Sequence, residues 1–354
     1  PLLFLLKTIP EYASLIEAVK NDRNAAVTGI GQINRSHMIA GLYKDTARPI
    51  VVLCQDDMAA RRTQEELQCF LGLTAPILPG RDLTFYDAAV VSRSWEQKRL
   101  RQLYDLAAGA TPIQIMTWES MSLRTLPPHV LNEASFTLEI GKEYPLDELS
   151  AHLAAAGYSR CGIVEGVGQF ALRGGILDVF SPLMEQPVRC EFFDDEIDSL
   201  GLFDPGTQRR TENVSSALLL PAAEVLPGLA PGGTAHLADE LEKLAVKYAK
   251  KEGRDALVQT LRGDAERFRN GAEVGGLDRY LNLIYPDAAG GADYLPPDAV
   301  VFLCEGGRIE QRVKTVLLQL HQDTETLMEA GLMAGDAAEV CLSEEALFAR
   351  LADF

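Results

Sequence analysis

Two segments decide the fold of the middle of this chain: QFALRGGILDVF at residues 169–180 and RCEFFDDEID at residues 189–198. β-Branched and aromatic residues dominate both segments, which predicts two strands. The intervening SPLMEQP at residues 181–187 is typical of a turn. We therefore predict that the two segments form an antiparallel hairpin.

The register of this hairpin decides which side chains lie together. If the turn is centred near Met184, Gly175 lies opposite Phe193 and Arg173 lies close to Asp195. A β-bulge at the adjacent glycine pair would shift this register by one residue.

One face of the second strand combines charge with an aromatic ring. The alternation of side chains along a strand places Arg189, Glu191 and Phe193 on one face, and the register adds Arg173 to it. In one interpretation Phe193 belongs to the core and the charges form its rim. In the other, the face binds a protein, because interface hot spots favour aromatic residues and arginine. The pattern alone leaves both interpretations open.

Length and charge limit the function classes. A chain of 354 residues exceeds the size at which one core keeps growing, so two or three domains are expected. The formal net charge of −18 argues against tight autonomous binding to a phosphate backbone, which calls for a basic surplus. It is compatible with a partner that carries a basic surface.

The cysteine pattern predicts reduced thiols in a cytoplasm. No Cys-x-x-Cys pair and no histidine in ligand spacing accompanies the cysteines, so we expect neither a zinc site nor a disulfide framework. The six cysteines are Cys54, Cys69, Cys161, Cys190, Cys304 and Cys341.

The start of the chain predicts no membrane segment. LLFLL at residues 2–6 is apolar, but it is far too short to span a bilayer and lacks a basic segment before it. The chain begins at Pro1 without an initiator methionine, so we expect it to be a piece of a longer protein.

A nucleotide-binding pattern occurs near the amino terminus with two substitutions. A strand predicted at residues 25–28 leads into a loop that begins at Gly29 and ends at Ser36, and a predicted helix follows. Strand, glycine-rich loop and helix form the context of a P-loop. A functional P-loop has glycine and then lysine where this sequence has Asn34 and Arg35. We therefore expect a degenerate P-loop.

The matching second half of such a site is also altered. VVFL at residues 300–303 predicts a central buried strand, and Cys304 and Glu305 follow it. A P-loop ATPase has an aspartate that holds Mg²⁺ where Cys304 stands, and a thiol is a poor ligand for that ion. We expect no ATP hydrolysis, no bound cofactor and no metal.

The remaining pattern predicts three sequence regions. Strands alternate with helices through residues 1–137, which indicates a parallel α/β sheet. Residues 138–222 contain the hairpin and read as a smaller α+β unit, and residues 223–354 combine helices with the second nucleotide motif.

The order of these motifs resembles the amino-terminal region of bacterial transcription-repair coupling factors, which is similar to UvrB, the damage-loading subunit of nucleotide excision repair. The matching motifs are GIGQINRS at 29–36, RGGILDVF at 173–180, FFDDEIDSL at 192–200, FDP at 203–205 and DYLP at 293–296. The resemblance covers nearly the whole chain. It implies a UvrB-like α/β domain that is split into residues 1–137 and 223–354, with the small domain of residues 138–222 inserted between the halves.

The resemblance also implies a function. UvrB carries intact nucleotide motifs and a long aromatic hairpin that engages damaged DNA. Here Tyr86 is followed almost directly by the helix near Trp95, which leaves no room for that hairpin. The chain is thus expected to be a non-catalytic adaptor that recruits UvrA, the damage-recognition ATPase, to lesions at stalled RNA polymerase.

Site residues and further partners follow from the same resemblance. The UvrA contacts carry over onto Arg173, Arg189 and Phe193, with Asp195 and Glu196 as weaker candidates, and this favours the interface interpretation. The carboxy-terminal domain of the parent protein is expected to mask this face. RNA polymerase and DNA are expected to contact only domains outside this chain, and the full-length parent is expected to be an ATP-dependent DNA translocase. The chain itself is expected to be a monomer.

Two alternatives to an adaptor remain. One is an ATP-dependent, helicase-like DNA enzyme with UvrB-like activity, which would need Arg35 and Glu305 to support catalysis. The other is an internal clamp against further domains of the parent that has lost UvrA binding.

Overall fold

The structure is a computed structural model that describes residues 2–85, 93–287, 289–352 and 354. The strand end expected at Tyr86 lies outside these residues. No helix in the described ranges is long and apolar enough to cross a membrane.

The described residues form a mixed α/β structure. The strands are β1 (Ile50–Cys54), β2 (Ile113–Thr117), β3 (Phe136–Glu139), β4 (Ser159–Arg160), β5 (Gln169–Arg173), β6 (Ile176–Val179), β7 (Val188–Phe193), β8 (Glu196–Phe203), β9 (Arg210–Asn213), β10 (Ser216–Leu219) and β11 (Val300–Leu303). The α-helices are α1 (Pro10–Lys20), α2 (Gln32–Thr46), α3 (Asp57–Leu71), α4 (Ser94–Ala107), α5 (Trp118–Ser122), α6 (Pro128–Ala134), α7 (Leu146–Ala155), α8 (Gly233–Tyr248), α9 (Asp255–Arg269), α10 (Leu281–Ile284), α11 (Gly306–Glu329) and α12 (Glu344–Leu351). Short 3₁₀ helices cover Leu2–Thr8, Pro227–Leu229, Leu277–Tyr280, Gly291–Tyr294 and Gly335–Ala337.

A parallel sheet of three strands has the order β11-β1-β2. β1 and β2 are buried on both faces, because α1, α2 and α3 contribute to the core on one side and α4, α8 and α9 to the core on the other. Continuous apolar runs such as IVVLC in β1 suit this environment. The predicted parallel α/β sheet is confirmed.

Two predictions about the edge of this sheet are wrong. β11 is an outer strand of the described sheet rather than a central one, and its Leu303 is half exposed. The strand predicted at residues 25–28 is an irregular, exposed segment. Short apolar runs do not reveal whether a strand finds a neighbour, so their pattern overstates burial.

The second, larger sheet has six strands in the order β4-β5-β6-β7-β8-β9. Its pairs are antiparallel except for the parallel pair of β4 with β5. One face packs on α7 and on the small antiparallel pair of β3 with β10, which gives this part of the chain its own hydrophobic core.

The predicted hairpin is wrong in one respect, because its first strand is two strands. Arg173 pairs with Ile176, and Gly174 and Gly175 form the turn between β5 and β6. Gly174 has φ of +59°, a left-handed conformation that glycine adopts without steric cost. The glycine pair therefore reverses the chain instead of carrying a bulge within one strand.

The register also differs from the predicted one by a residue. Phe192, and not Phe193, lies opposite Gly175, since its N–H donates to the Gly175 carbonyl at 2.8 Å. The irregularity in pairing lies on the other side of β7, where Glu191 pairs with Ser199 but Phe192 pairs with Ile197. The extra residue in β8 shifts the ladder there.

Candidate functional site

The two tight turns of the six-stranded sheet lie at one end of it. β5 turns into β6 at the glycine pair, and β7 turns into β8 at Asp194 and Asp195. Phe193 pairs with Glu196 at the base of the second turn, and Asp194 adopts a left-handed φ of +59°. The turn therefore holds the side chains of residues 193–196 at this end of the sheet.

Phe193 is exposed at this turn. Its exposed fraction is 80%, whereas Phe192 beside it packs against the core under the sheet. The interpretation of Phe193 as a core residue is therefore wrong. Asp195 and Glu196 are exposed next to it.

Residues 142–144 support the turn along one edge. The N–H of Tyr144 donates to the carbonyl of Asp195 at 2.7 Å, and the N–H of Ile197 donates to the carbonyl of Lys142 at 3.0 Å. These bonds fix the backbone on which Phe193 and the acidic side chains stand.

A buried carboxylate holds the two predicted arginines. Arg189 donates from Nε to Oδ1 of Asp178 at 2.7 Å and from Nη2 to Oδ2 at 2.8 Å. Arg173 donates from Nη2 to the same Oδ2 at 2.7 Å. Asp178 is fully buried, so both arginines compensate a charge that water does not reach.

The two arginines differ in what else holds them. Arg189 is 19% exposed, its guanidinium lies 4.5 Å from the Phe203 ring centre, and Nη1 donates to the carbonyl of Gln208 at 3.2 Å. The hydrogen bond to Asp178 raises the pKa of Arg189. Arg173 is 47% exposed on β5, so it is the more accessible of the two cations.

The predicted proximity of Arg173 to Asp195 is replaced by this ion pair. Because the glycine turn reverses the chain, Arg173 lies two strands away from β7 and meets Asp178 instead. Sequence reasoning missed Asp178. One feature of the sequence could have indicated its role. Asp178 lies between Leu177 and Val179, two apolar residues of a buried strand, and a carboxylate buried in such a strand needs a cationic partner.

The nucleotide-motif residues are only partly brought together. Gly29 lies in the irregular segment with φ of +76°, and Asn34 lies in the first turns of α2. Arg35, also in α2, forms an ion pair with Glu305, which follows β11. The hydroxyl of Ser36 donates to Oε2 of Glu66 at 2.6 Å.

In this arrangement, the Arg35 and Ser36 side chains, which would contact a bound nucleotide, already have protein partners. The Arg35 guanidinium is neutralised by Glu305, and the Ser36 hydroxyl is directed to Glu66. Cys304 is buried at the end of β11. A cavity of about 740 Å³ remains beside β11, and its walls include Gly29, Arg35 and Glu305.

A group of charged side chains that the sequence analysis did not predict surrounds the buried Glu224, beside the six-stranded sheet. Arg99 and Arg81 lie 3.1 and 3.4 Å from the carboxylate of Glu224, and Arg81 also pairs with Asp278. The backbone N–H of Glu224 donates to Oε1 of Glu96 at 2.6 Å. Burial, and then the charge of Glu224, raise the pKa of Glu96 to about 7.

Comparison with known proteins gives a family match for the region of the six-stranded sheet. The model of the UvrB interaction domain matches residues 136–224. This range includes the exposed Phe193 and the Asp178 ion pairs.

The relatives that match most of the chain are transcription-repair-coupling factors. The chain is similar to the transcription-repair-coupling factor of Myxococcus xanthus, with 29% identity over 82% of this chain and 25% of the relative. The factor of Bacillus subtilis (strain 168) is 26% identical over 94% of this chain and 28% of its own length. The factor of Staphylococcus aureus (strain MRSA252) is 25% identical over 89% and 27%, respectively.

These matches confirm the resemblance to transcription-repair coupling factors. The chain spans about a quarter of the length of the curated relatives it matches. It therefore resembles one region of those proteins.

Proposed function

We propose that this chain is a non-catalytic adaptor module of a transcription-repair coupling factor. It binds UvrA and so recruits damage recognition to lesions where RNA polymerase has stalled, in the bacterial cytoplasm. The observation that carries the proposal is the exposed Phe193 at the β7–β8 turn, within the region that matches the UvrB interaction domain.

The chemistry of the turn suits a protein partner. A phenylalanine that leaves 80% of its surface exposed is costly in water and gains free energy when a partner covers it. Arg173 adds an accessible cation and Asp195 and Glu196 add exposed carboxylates on neighbouring turns. Aromatic and arginine side chains dominate interface hot spots, so Phe193 and Arg173 are the principal contacts, and the acidic pair contributes less.

Arg189 has a different role in this proposal. It contacts UvrA through its exposed edge, and it also holds Asp178 and Phe203 in place. Its contribution to binding therefore includes the positioning of β6 against β7.

The division of the chain supports an adaptor. We propose that residues 1–137 and 223–354 form one UvrB-like domain and that residues 138–222 form the inserted UvrA-binding domain. The parallel pairing of β1 with β11, from opposite sides of the inserted residues, supports this division. In the parent protein, the carboxy-terminal domain covers the Phe193 face until RNA polymerase is engaged.

The nucleotide motifs are degenerate in this proposal. The Arg35–Glu305 ion pair and the hydrogen bond from Ser36 to Glu66 occupy groups that would otherwise meet phosphates or Mg²⁺. Catalysis by the parent protein lies in domains outside this chain.

Binding to purified UvrA, measured by calorimetry, tests the proposal with Phe193→Ala. We expect the affinity to fall about tenfold or more while the melting temperature stays unchanged. Phe4→Ala is the matched control, because Phe4 is 69% exposed in the Leu2–Thr8 helix, outside residues 136–224. Equal affinities of the wild type and Phe193→Ala would remove the basis of the proposal.

A second candidate function is an ATP-dependent DNA enzyme, favoured by the cavity of about 740 Å³ beside Gly29 and Arg35. It requires DNA-stimulated ATP hydrolysis by this chain that Arg35→Ala abolishes. Hydrolysis with that dependence would establish the enzyme, and its absence at normal UvrA affinity would leave the adaptor.

A further inference from the structure

Two cysteines lie side by side at the end of the parallel sheet. Cys54 is the last residue of β1, and Cys304 directly follows β11. The two strands are paired in register at Leu53 and Leu303, and the N–H of Cys304 donates to the carbonyl of Leu53 at 3.0 Å. Neighbouring strands lie about 4.8 Å apart, which is within the Cα separation that a disulfide spans.

Both side chains are buried and both thiols are free. Cys54 and Cys304 belong to one hydrophobic core, and neither forms a disulfide. Each thiol contributes to the pKa shift of the other, as expected for side chains at paired positions of neighbouring strands.

The surroundings make the two thiols chemically different. The hydrogen bond from Cys54 and the positive charge of Arg35 lower the pKa of Cys304. The hydrogen bond to Cys304 and burial raise the pKa of Cys54. Cys304 is therefore the more acidic thiol of the pair and the one that more readily supplies the thiolate, the form that reacts with oxidants.

Only one of the two cysteines lines the cavity beside β11. Cys304 lines the cavity beside β11 together with Gly29, Arg35 and Glu305, whereas Cys54 lies behind it under α3 and contacts Thr63 at 3.7 Å. A small oxidant in the cavity reaches the reactive sulfur first. The second sulfur is then in position to resolve the product.

We propose that Cys54 and Cys304 are a redox pair that forms a reversible disulfide when the protein meets hydrogen peroxide. The Cys304 thiolate attacks one peroxide oxygen, the O–O bond breaks, and hydroxide leaves, so that Cys304 becomes a sulfenic acid. The Cys54 sulfur then attacks the Cys304 sulfur as its proton leaves, the S–O bond breaks, and the departing hydroxide takes up that proton as water. The hydroxide released in the first step takes up the proton that the Cys304 thiol loses on ionisation, so that in total two thiols are oxidised and one peroxide is reduced to two water molecules.

A Cys54–Cys304 disulfide would link β11, the outer strand, covalently to β1, the central strand. Because Cys54 and Cys304 are far apart in the sequence, the cross-link closes a long loop and constrains the unfolded chain. It also fixes Glu305, the residue that pairs with Arg35, at the mouth of the cavity. Oxidation would thus restrict the motion of the chain directly after β11.

Peroxide treatment of the full chain, followed by denaturing alkylation and peptide mass spectrometry, tests the pair. We expect a Cys54–Cys304 linked peptide that dithiothreitol removes, and a rise in melting temperature that dithiothreitol reverses. The Cys69→Ser variant serves as the control, because Cys69 is exposed near the carboxyl end of α3, and its loss leaves the linked peptide in place.

Two charge variants make the test specific to the mechanism. Arg35→Gln should slow formation of the linked peptide several-fold, because Cys304 loses the cation beside it. Glu305→Gln should accelerate it, since the Glu305 charge disfavours the thiolate. Recovery of alkylated Cys54 and Cys304 after peroxide treatment of the wild type would overturn the proposal, as would a Cys304 sulfinic acid beside a free Cys54 thiol.

Discussion

Arg189 and Asp178 face each other across β7 and β6, and both oxygens of the buried carboxylate accept hydrogen bonds from the guanidinium, at 2.7 and 2.8 Å. This two-point geometry is the strongest form of an arginine–carboxylate contact. Arg173 adds a third bond to the same carboxylate from β5. The ion pairs thus connect three strands beneath the end of the sheet that carries Phe193.

Removal of the carboxylate should destabilise the sheet. We expect Asp178→Ala to lower the free energy of unfolding by about 3 kcal/mol, because it removes the carboxylate to which the partly buried Arg189 guanidinium is bonded. Urea denaturation followed by far-UV circular dichroism measures the change. The exposed Asp195→Ala is the control, with an expected change within about 0.5 kcal/mol. Equal stability of the two variants would show that the buried ion pairs do not support the sheet.

Alanine variants of the two arginines should differ in their effect on stability, although both should weaken UvrA binding. Arg173→Ala is expected to weaken UvrA binding about tenfold and to cost less than about 1 kcal/mol of stability, because the Arg173 side chain is half exposed. Arg189→Ala is expected to reduce both, since Arg189 also packs on Phe203 and bonds to Gln208. Calorimetry with UvrA and thermal unfolding of the same samples give the two quantities. An Arg173→Ala variant that melts as early as Arg189→Ala would contradict this separation.

Nucleotides should have no effect on the chain. We expect addition of Mg²⁺ and ATP to leave the melting temperature unchanged, because Glu305 neutralises Arg35 and Cys304 offers Mg²⁺ a poor ligand. The measurement is differential scanning fluorimetry with and without nucleotide. A concentration-dependent rise that Arg35→Ala removes would instead indicate a working phosphate site.

Stability should depend on pH through Glu96. Its folded pKa of about 7 lies above the ordinary value of 4.5, so its stabilising contribution is complete below about pH 4.5 and is lost as the pH rises through about 7. Glu96→Gln keeps an oxygen that can accept the hydrogen bond from the Glu224 N–H and removes the charge.

This variant should melt a few degrees above the wild type at pH 8 and close to it at pH 5. Thermal unfolding at the two pH values measures the difference. Lys142→Met provides a control at an exposed ionisable residue, for which the difference from the wild type should be the same at both pH values. An equal effect of Glu96→Gln at pH 5 and pH 8 would exclude a titration of Glu96 in this range.

Much of the fold follows from local pattern. The alternation of strands with helices through residues 1–137 predicted the parallel sheet that β1 and β2 belong to, because crossover helices cover both faces of such a sheet. The order of short motifs along the chain was enough to indicate the family resemblance, and the comparisons confirm it. The alternation along β7 also predicted that Phe193 and Phe192 face opposite sides.

The candidate site depended on tertiary structure. Whether the glycine pair at 174 and 175 bends a strand or ends it depends on hydrogen bonds between β5, β6 and β7, which the local sequence does not encode. The same turn decides that Arg173 meets Asp178 and not Asp195. Arg35 and Glu305 likewise meet only because β11 pairs with β1.

The sequence by itself determined which residue types surround the β7–β8 turn, namely an aromatic ring and charged side chains, and where residues 29–36 depart from the P-loop pattern. Only the tertiary structure decided which charges are paired, that Phe193 is exposed, and that the Cys54 and Cys304 thiols are neighbours. The physical reason is that side-chain periodicity is a local property of the backbone. Ion pairing, burial and strand register arise from contacts between segments that are distant in the sequence.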